Sequence, residues 1–93
     1  MERIYLNDLF DLYQKLLNEH EQSVFIEYYQ EDLSLKEIAD NFNVTRNAIY
    51  KTLKSVEEKL NVYEKKLELY KKKNELLKAI ENNDIIKIKK IVS

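Results

Sequence analysis

The segment 34–54, SLKEIADNFNVTRNAIYKTLK, constrains the fold most, because it holds two helix starts separated by one tight turn. Ser34 and Glu37 have the spacing of a capping box, in which each side chain accepts a hydrogen bond from the other residue's backbone N–H. Thr45 offers a second N-cap oxygen. Apolar residues recur at helical spacing after both caps, and Ala39 stands where steeply crossing helices leave little room. The segment predicts a helix-turn-helix carried by Ile38, Ala39, Phe42, Asn43, Val44, Ile49 and Leu53.

The predicted turn between these two helices is Asn43-Val44. Such a turn needs a residue with positive φ, and glycine is the usual choice, but the chain contains no glycine. Asparagine tolerates the left-handed region best after glycine, so Asn43 is expected to adopt it. Val44 is expected to point inward between the two helices.

Composition excludes most alternatives to a helical fold. The 93 residues include no glycine, proline, cysteine or tryptophan, so disulfides and zinc fingers are excluded and the turn residues of a sheet are missing. We therefore predict an all-α protein, with a wingless helix-turn-helix domain over 1–60 and a helical extension over 61–93 that packs on it or on a second subunit. Because no segment resembles a membrane span or a secretory signal, we expect a cytoplasmic protein without membrane insertion.

Two further helices are predicted before the motif. Asn7 is expected to cap the first, and residues 4–6 before it either fold back onto the core or form an extra turn; Asn18 with Glu21 forms a second capping-box pattern. The aromatic rings of the second helix could stack on nucleic-acid bases, but they have core spacing in an acidic part of the chain, which favours core packing. That helix carries Val24, Phe25, Tyr28 and Tyr29.

A heptad pattern follows the motif and predicts a long C-terminal helix. Its a/d positions are Ile49, Leu53, Val56, Leu60, Tyr63, Leu67, Tyr70, Asn74 and Leu77. The apolar face is wide enough for two neighbours, and a second copy of the chain is one candidate, so the pattern favours a homodimer. We expect a bend near Asn61. Asn74 either fixes the register of pairing or marks where the stripe reaches solvent.

The last third of the chain is basic and less regular. The run 71–73, three lysines, either binds phosphates or forms a solvated helix face. Asn82 and Asn83 are expected to end the long helix. Asp84 then caps either a short final helix or an irregular tail rich in isoleucine.

No catalytic or metal-binding constellation is apparent, so we predict a protein that is not an enzyme and has no cofactor. His20 is the only histidine and has no second ligand at helical spacing, so it is interpreted as an exposed residue in a first turn. The acidic pairs 31–32 and 57–58 lack a neighbouring nucleophile or an apolar surrounding, and we interpret them as solvated surface.

The amino-terminal part of the second motif helix carries the candidate binding site. In a helix-turn-helix this part faces base edges in the major groove. Arginine suits guanine, asparagine suits adenine and lysine suits phosphate, and no acidic residue occurs between Asp40 and Glu57. The predicted nucleic-acid-binding residues are Thr45, Arg46, Asn47, Tyr50, Lys51 and Lys54.

Charge is segregated along the chain although its net value is only −1. Residues 1–44 hold 3 basic and 10 acidic side chains, a net −7, whereas residues 45–93 hold 13 basic and 7 acidic ones, a net +6. Such a molecule repels polyanions at one end and attracts them at the other. Because one monomer makes few phosphate contacts, tight binding to a duplex is expected to need a dimer.

The stretch LLNEHEQSVFIEYYQEDLSLKEIADNFNVTRNAIYKTLKSVEEKL, followed by YEKKLELYKK, resembles the YlxM family of small bacterial proteins. The resemblance covers roughly residues 6–73 and is most specific in YYQEDLSLKEIA and TRNAIY. It implies a fold similar to the promoter-reading C-terminal domain of sigma factors. It also implies a regulatory role in the signal recognition particle pathway, through contact with the particle's GTPase or RNA. The family's usual glycine in the turn is Asn43 here, and the residues after Lys73 do not match.

Two functions from different classes therefore remain open. The first is a sequence-specific DNA-binding regulator that acts through Arg46 to Lys54. The second is an adaptor of the protein-targeting particle, whose basic helix meets an RNA backbone or an acidic protein surface. The acidic first half of the chain suits a protein partner better than a duplex, which favours the second.

Overall fold

The computed structural model describes residues 2–92, and these contain six α-helices and no strand, which confirms the predicted all-α class. A 3₁₀ turn, Gln14–Leu16, follows the first helix, and a π-helical segment, Ile26–Gln30, follows the second. The α-helices are α1 Glu2–Tyr13, α2 Glu19–Phe25, α3 Leu35–Phe42, α4 Arg46–Leu67, α5 Leu69–Glu81 and α6 Ile85–Val92.

Local side-chain caps start four of these helices, α2, α3, α4 and α6, as predicted. At α2 the Asn18 side chain accepts from the Glu21 N–H at 2.8 Å, and the Glu21 carboxylate accepts from the Asn18 N–H at 3.0 Å. Ser34 and Glu37 form the same reciprocal pair at α3, with distances of 3.1 and 3.0 Å. Asp84 accepts from the Lys87 N–H at 3.0 Å, so the final segment is a capped short helix.

The first helix begins earlier than the predicted cap at Asn7, which is therefore wrong. Residues 4–6 lie within α1, and Asn7 is an interior position whose side chain donates to the Arg3 carbonyl at 3.1 Å. Long-range contacts hold the extra turn. Leu6 is buried, and the ring of Tyr5 packs edge-on against Tyr70 at 5.1 Å between centroids. These contacts outweigh the local preference of asparagine for a cap.

Helix α4 runs through two hydrophobic clusters and joins them. One cluster lies among α3, α4 and the end of α2, and consists of Val24, Ile38, Ala39, Ile49 and Leu53. The other brings α1 and the end of α2 against the middle of α4, and consists of Leu6, Leu9, Phe10, Tyr13, Leu17, Phe25, Val56 and Leu60. The first half of the predicted apolar stripe is thus confirmed as core. The predicted division at 60–61 falls inside α4 and stays a prediction.

The long helix breaks at Glu68, so the bend predicted near Asn61 is wrong. Asn61 lies inside α4, where its side chain donates to the Glu57 carbonyl at 2.9 Å. Glu68 takes the left-handed conformation, with φ of 55°, and α5 begins at the next residue. The stripe reaches solvent on both sides of this break, because Leu67 at the end of α4 and Leu77 in α5 are 46% and 49% exposed.

The Glu64 carboxylate and the Tyr13 hydroxyl hold this break in place. Glu64 accepts from the Tyr70 N–H at 2.9 Å and the Lys71 N–H at 3.1 Å, so it caps α5 from the preceding helix. Tyr13 donates to Glu64 at 2.6 Å and accepts from the Leu69 N–H at 3.1 Å. Burial and the hydrogen bond to Glu64 raise the pKa of Tyr13 to about 12, so its hydroxyl stays a donor at neutral pH.

Replacing Glu64 by alanine is expected to lower the free energy of unfolding by about 2 kcal/mol, since two N–H groups of α5 and one buried hydroxyl lose their acceptor. Urea unfolding followed by circular dichroism measures this loss. Glu58→Ala, an exposed glutamate of the same helix, is the matched control and should change stability by less than about 0.5 kcal/mol. Equal losses in the two variants would contradict a capping role.

Glu21 and Lys59 join α2 to α4 through a salt bridge of 2.5 Å. Burial alone would raise the pKa of Glu21, but the hydrogen bonds from Lys59 and the Asn18 N–H outweigh burial and lower it. A carboxylate with a lowered folded-state pKa stabilises the fold above its unfolded pKa, and this contribution is lost as pH falls through the folded value.

We therefore expect stability to fall as pH drops below about 4.3, the usual glutamate pKa. Glu21→Gln should be less stable than wild type at pH 7, and the difference between the two should shrink as the pH is lowered through this range. Urea unfolding at a series of pH values tests the expectation. A difference that stays constant with pH would show that the charge of Glu21 contributes nothing.

Candidate nucleic-acid interface

The turn of the motif is formed by Asn43, as predicted. Its φ and ψ are 55° and 46°, in the left-handed region. The Asn43 N–H donates to the Asp40 carbonyl at 3.3 Å, and the Val44 N–H donates to the Ala39 carbonyl at 3.0 Å. These bonds satisfy carbonyl groups that the end of α3 would leave free. A short polar side chain thus substitutes for glycine here.

The prediction that Val44 points inward is wrong, because Val44 is 42% exposed. Ile38 and Ile49 are fully buried and Ala39 is 3% exposed, so the crossing of α3 and α4 is already filled without Val44. Phe42 lies at the edge of this cluster, and its ring packs edge-on against the exposed His20 at 5.0 Å.

Thr45 serves mainly as the N-cap of α4. Its Oγ1 accepts from the Ala48 N–H at 3.1 Å, while the residue itself is exposed. The hydroxyl can still donate one hydrogen bond outward. Its first contribution is to fix where α4 begins. This start determines which side chains occupy the first turns of the helix.

Five of the six predicted binding residues form one exposed surface. At about 100° per residue, they fall within an arc of about 140° on α4, beside the arc that faces the core. All five are exposed, which confirms their predicted outward orientation. Their role in binding stays a prediction. We call this the α4 surface, and it consists of Arg46, Asn47, Tyr50, Lys51 and Lys54.

The positive charges of the α4 surface differ in their availability. The Lys54 ammonium lies 3.5 Å from the Glu57 carboxylate and 5.5 Å from the centroid of the Tyr50 ring. The Glu57 charge raises the pKa of Lys54, so it stays protonated. The salt bridges found among residues 2–92 involve neither Arg46 nor Lys51. These two cations are therefore the best placed to meet a phosphate or a base edge.

The interpretation of the acidic pair 57–58 as solvated surface is wrong for Glu57. The Glu57 side chain is only 18% exposed, and the Tyr29 hydroxyl donates to it at 2.6 Å. Burial and the Glu57 carboxylate raise the pKa of Tyr29. Glu58 is exposed, and so is the pair 31–32, as predicted.

Sequence reasoning missed the structure next to the α4 surface, where α1 contacts the π-helical segment. Arg3 donates to the carbonyls of Tyr28 at 2.7 Å and Tyr29 at 3.2 Å, and forms a 2.6 Å salt bridge with Asp32. Phe25 is core as predicted, but Tyr28 and Tyr29 are half-buried beside α4. No local spacing in the sequence signals these contacts, because Arg3 lies 25 and 26 residues from Tyr28 and Tyr29.

Neither a metal site nor a membrane-spanning helix is found in the part of the chain that the structure describes. No group of three or more histidine or carboxylate side chains there could hold a metal ion. No described helix combines the length and the apolar character that crossing a bilayer requires.

Comparison with known proteins supports the motif. The family model of UPF0122, "Putative helix-turn-helix protein, YlxM / p13 like", matches residues 1–92, so the expectation that the residues after Lys73 fall outside the family is wrong. UPF0122 proteins of Bacillus thuringiensis (strain Al Hakam), Bacillus mycoides (strain KBAB4) and Bacillus cereus (strain AH187) are each 47% identical over 55 residues, which is 59% of this chain. The matched part spans about half the length of these curated relatives. On this match, the chain belongs to the UPF0122 family of YlxM / p13-like helix-turn-helix proteins.

Proposed function

We propose that this protein binds nucleic acid through the α4 surface and acts as a regulatory adaptor in the signal recognition particle pathway. The observation that supports binding is the exposed arc of Arg46, Asn47, Tyr50, Lys51 and Lys54 directly after the turn of the motif. In helix-turn-helix proteins this part of the second helix contacts nucleic acid. The absence of acidic residues between Asp40 and Glu57 removes local repulsion of phosphates.

The resemblance to the YlxM family is what directs the proposal to protein targeting. The charge distribution is compatible with it, since residues 1–44 carry a net −7 and disfavour a duplex that extends over them. Contact confined to one basic surface suits a structured RNA, or an acidic face of the particle's GTPase. We propose that the protein meets these partners in the cytoplasm and acts by binding rather than by catalysis.

A sequence-specific DNA-binding regulator is the second candidate. Arg46 and Asn47 favour it, because both are exposed in the first turn of α4, where the second helix of such motifs contacts base edges. Arginine can form paired hydrogen bonds with guanine and asparagine with adenine. A regulator of this kind distinguishes between duplex sequences, whereas the adaptor does not.

We also propose that two copies associate through the C-terminal helices. Apolar side chains remain exposed there, including Ile80 at 55% and Ile86 at 82%. The opposite charges of the two halves of the chain make it complementary to a second copy of itself. A dimer would present two α4 surfaces, which helix-turn-helix proteins need for tight duplex binding. Sedimentation velocity at low and high salt tests this, and a monomer at micromolar concentration in both would contradict it.

Binding to defined ligands separates the two candidate functions. The protein is titrated with signal recognition particle RNA and with random-sequence DNA duplexes at several salt concentrations, and bound duplexes are then sequenced. The adaptor predicts tighter binding to the RNA and no enrichment among the duplexes. Enrichment of one duplex sequence would replace the adaptor with the DNA-binding regulator. No binding to any nucleic acid near physiological salt would overturn the proposal.

A further inference from the structure

A cleft of about 190 Å³ lies directly beside the α4 surface. Tyr28 and Tyr29 line it from the π-helical segment, and Tyr50 and Lys54 line it from α4. It is smaller than the roughly 300–1,000 Å³ of pockets that hold drug-sized ligands. Its size therefore suits one planar ring system rather than a whole cofactor.

The lining of the cleft has the chemistry that recognises a nucleobase. Tyrosine rings are stacking surfaces for bases, and Tyr50 is 47% exposed beside the cleft. The carboxylates of Glu2 and Glu57 also line it and can accept hydrogen bonds from the amino groups of a base. Because the Lys54 ammonium is paired with Glu57, the adjoining phosphate is left to Arg46 and Lys51 of the α4 surface.

Specific contacts hold the wall that Tyr28 and Tyr29 form. A π-helical turn is rare and occurs frequently at functional sites. Arg3 donates to the carbonyls of both tyrosines and lies 5.5 Å from the Tyr29 ring centroid. The hydrogen bond from the Tyr29 hydroxyl to Glu57 ties this wall to α4. The cleft therefore lies between two elements that a side-chain hydrogen bond joins.

We propose that this cleft accepts one unpaired base, presented by the loop or bulge of a nucleic acid whose backbone lies on the α4 surface. The inference rests on the proposed function and narrows its ligand to a strand with unstacked bases. A base inside a regular duplex is stacked between its neighbours and cannot enter the cleft. Specific RNA recognition commonly uses unpaired bases that stack on aromatic side chains.

The test uses a short hairpin RNA with 2-aminopurine in its loop, a second hairpin with the label in its stem, and a loop-free duplex with the same stem. With the wild-type chain, we expect the loop label to change its emission on binding, the stem label to stay unchanged, and the hairpin to bind about tenfold tighter than the duplex. A DNA hairpin of the same sequence shows whether the 2′-hydroxyl contributes. Binding of either hairpin in this way supports the proposal.

Variants locate the labelled base. Tyr28→Leu is the most informative substitution, because Tyr28 lines the cleft but lies outside α4, and it should remove the emission change and the tenfold preference for the hairpin. Tyr63→Leu, another half-buried tyrosine that does not line this cleft, is the control and should retain both. Circular dichroism verifies that each variant is folded.

The outcomes distinguish a failure of the cleft proposal from a failure of the proposed function on which it rests. Equal affinity for hairpin and duplex, with no emission change in the wild-type chain, would overturn the cleft proposal and leave binding by the α4 surface intact. No binding of either RNA would overturn both. Because the label is read in the wild-type protein, a variant that fails to fold does not prevent the test.

Discussion

Replacing both Arg46 and Lys51 by alanine is expected to weaken nucleic-acid binding about a hundredfold, since each contact of this type contributes about 1–3 kcal/mol. Both side chains are exposed, and the salt bridges among residues 2–92 do not include them, so their removal should leave the fold unchanged. The dependence of log affinity on log salt should become shallower by about two. Fluorescence anisotropy with labelled RNA and duplex measures both quantities.

The matched control for this double variant is Lys65→Ala with Lys66→Ala. These lysines lie on the same helix and are also exposed, but they stand at the opposite end of α4. Their substitution removes the same charge. The control should weaken binding by no more than about threefold. If the two double variants lose affinity equally, the chain binds polyanions through its general positive charge and the α4 surface has no special role.

The parts of the fold that could be predicted from sequence are those fixed by residues close together in the chain. The Ser34–Glu37 capping box, the Thr45 cap and the turn at Asn43 each depend on hydrogen bonds that span three to five residues. A spacing in the sequence is then a direct statement of geometry. The same holds for the buried face of α4 up to Leu60, which follows from helical periodicity.

The errors occurred where distant residues decide the local structure. The start of α1 depends on Arg3, whose partners Tyr28 and Tyr29 are 25 and 26 residues away. The break at Glu68 depends on Glu64 together with Tyr13, which is 51 residues from Glu64. No glycine or proline marks that break, so its only local sign is a glutamate near the first N–H groups of α5, which composition does not distinguish from a surface residue.

The candidate site also has one part that the sequence predicts and one part that it does not. The outward residues of α4 were predictable because helical spacing and the turn fix their direction. The cleft beside them was not, because it is formed where the π-helical segment meets α4 and where Tyr29 bonds to Glu57 across 28 residues. A π-helical turn has no distinct sequence signature here, and the aromatic residues alone fitted an ordinary core helix equally well.

The α4 surface and the hydrophobic core are mechanically connected through one stack of rings. Phe25 packs on Phe10 at 4.2 Å with nearly parallel planes, and on Tyr29 at 4.6 Å. Tyr29 in turn holds Glu57, which pairs with Lys54 of the α4 surface. Stability of the core and geometry of the binding surface therefore depend on the same side chain.

Replacing Phe25 by alanine is accordingly expected to lower the free energy of unfolding by about 3–5 kcal/mol, because the ring is fully buried and its loss leaves a cavity. For a domain of this size the total is about 5–14 kcal/mol, so this loss is a large fraction of it and the variant should unfold at a clearly lower temperature than wild type. Thermal and urea unfolding followed by circular dichroism give the loss. Where the variant is still folded, binding by the α4 surface should also weaken, since Tyr29 loses its support.

Phe42→Ala provides the matched control, because it removes the same ring from a half-buried position at the edge of the other cluster. This substitution should lower the free energy of unfolding by about 1–2 kcal/mol, since part of that ring is already in contact with water and no closed cavity forms. Similar losses at Phe25 and Phe42 would mean that the ring stack does not support the fold more than the periphery does. The proposed link between core stability and the α4 surface would then fail with it.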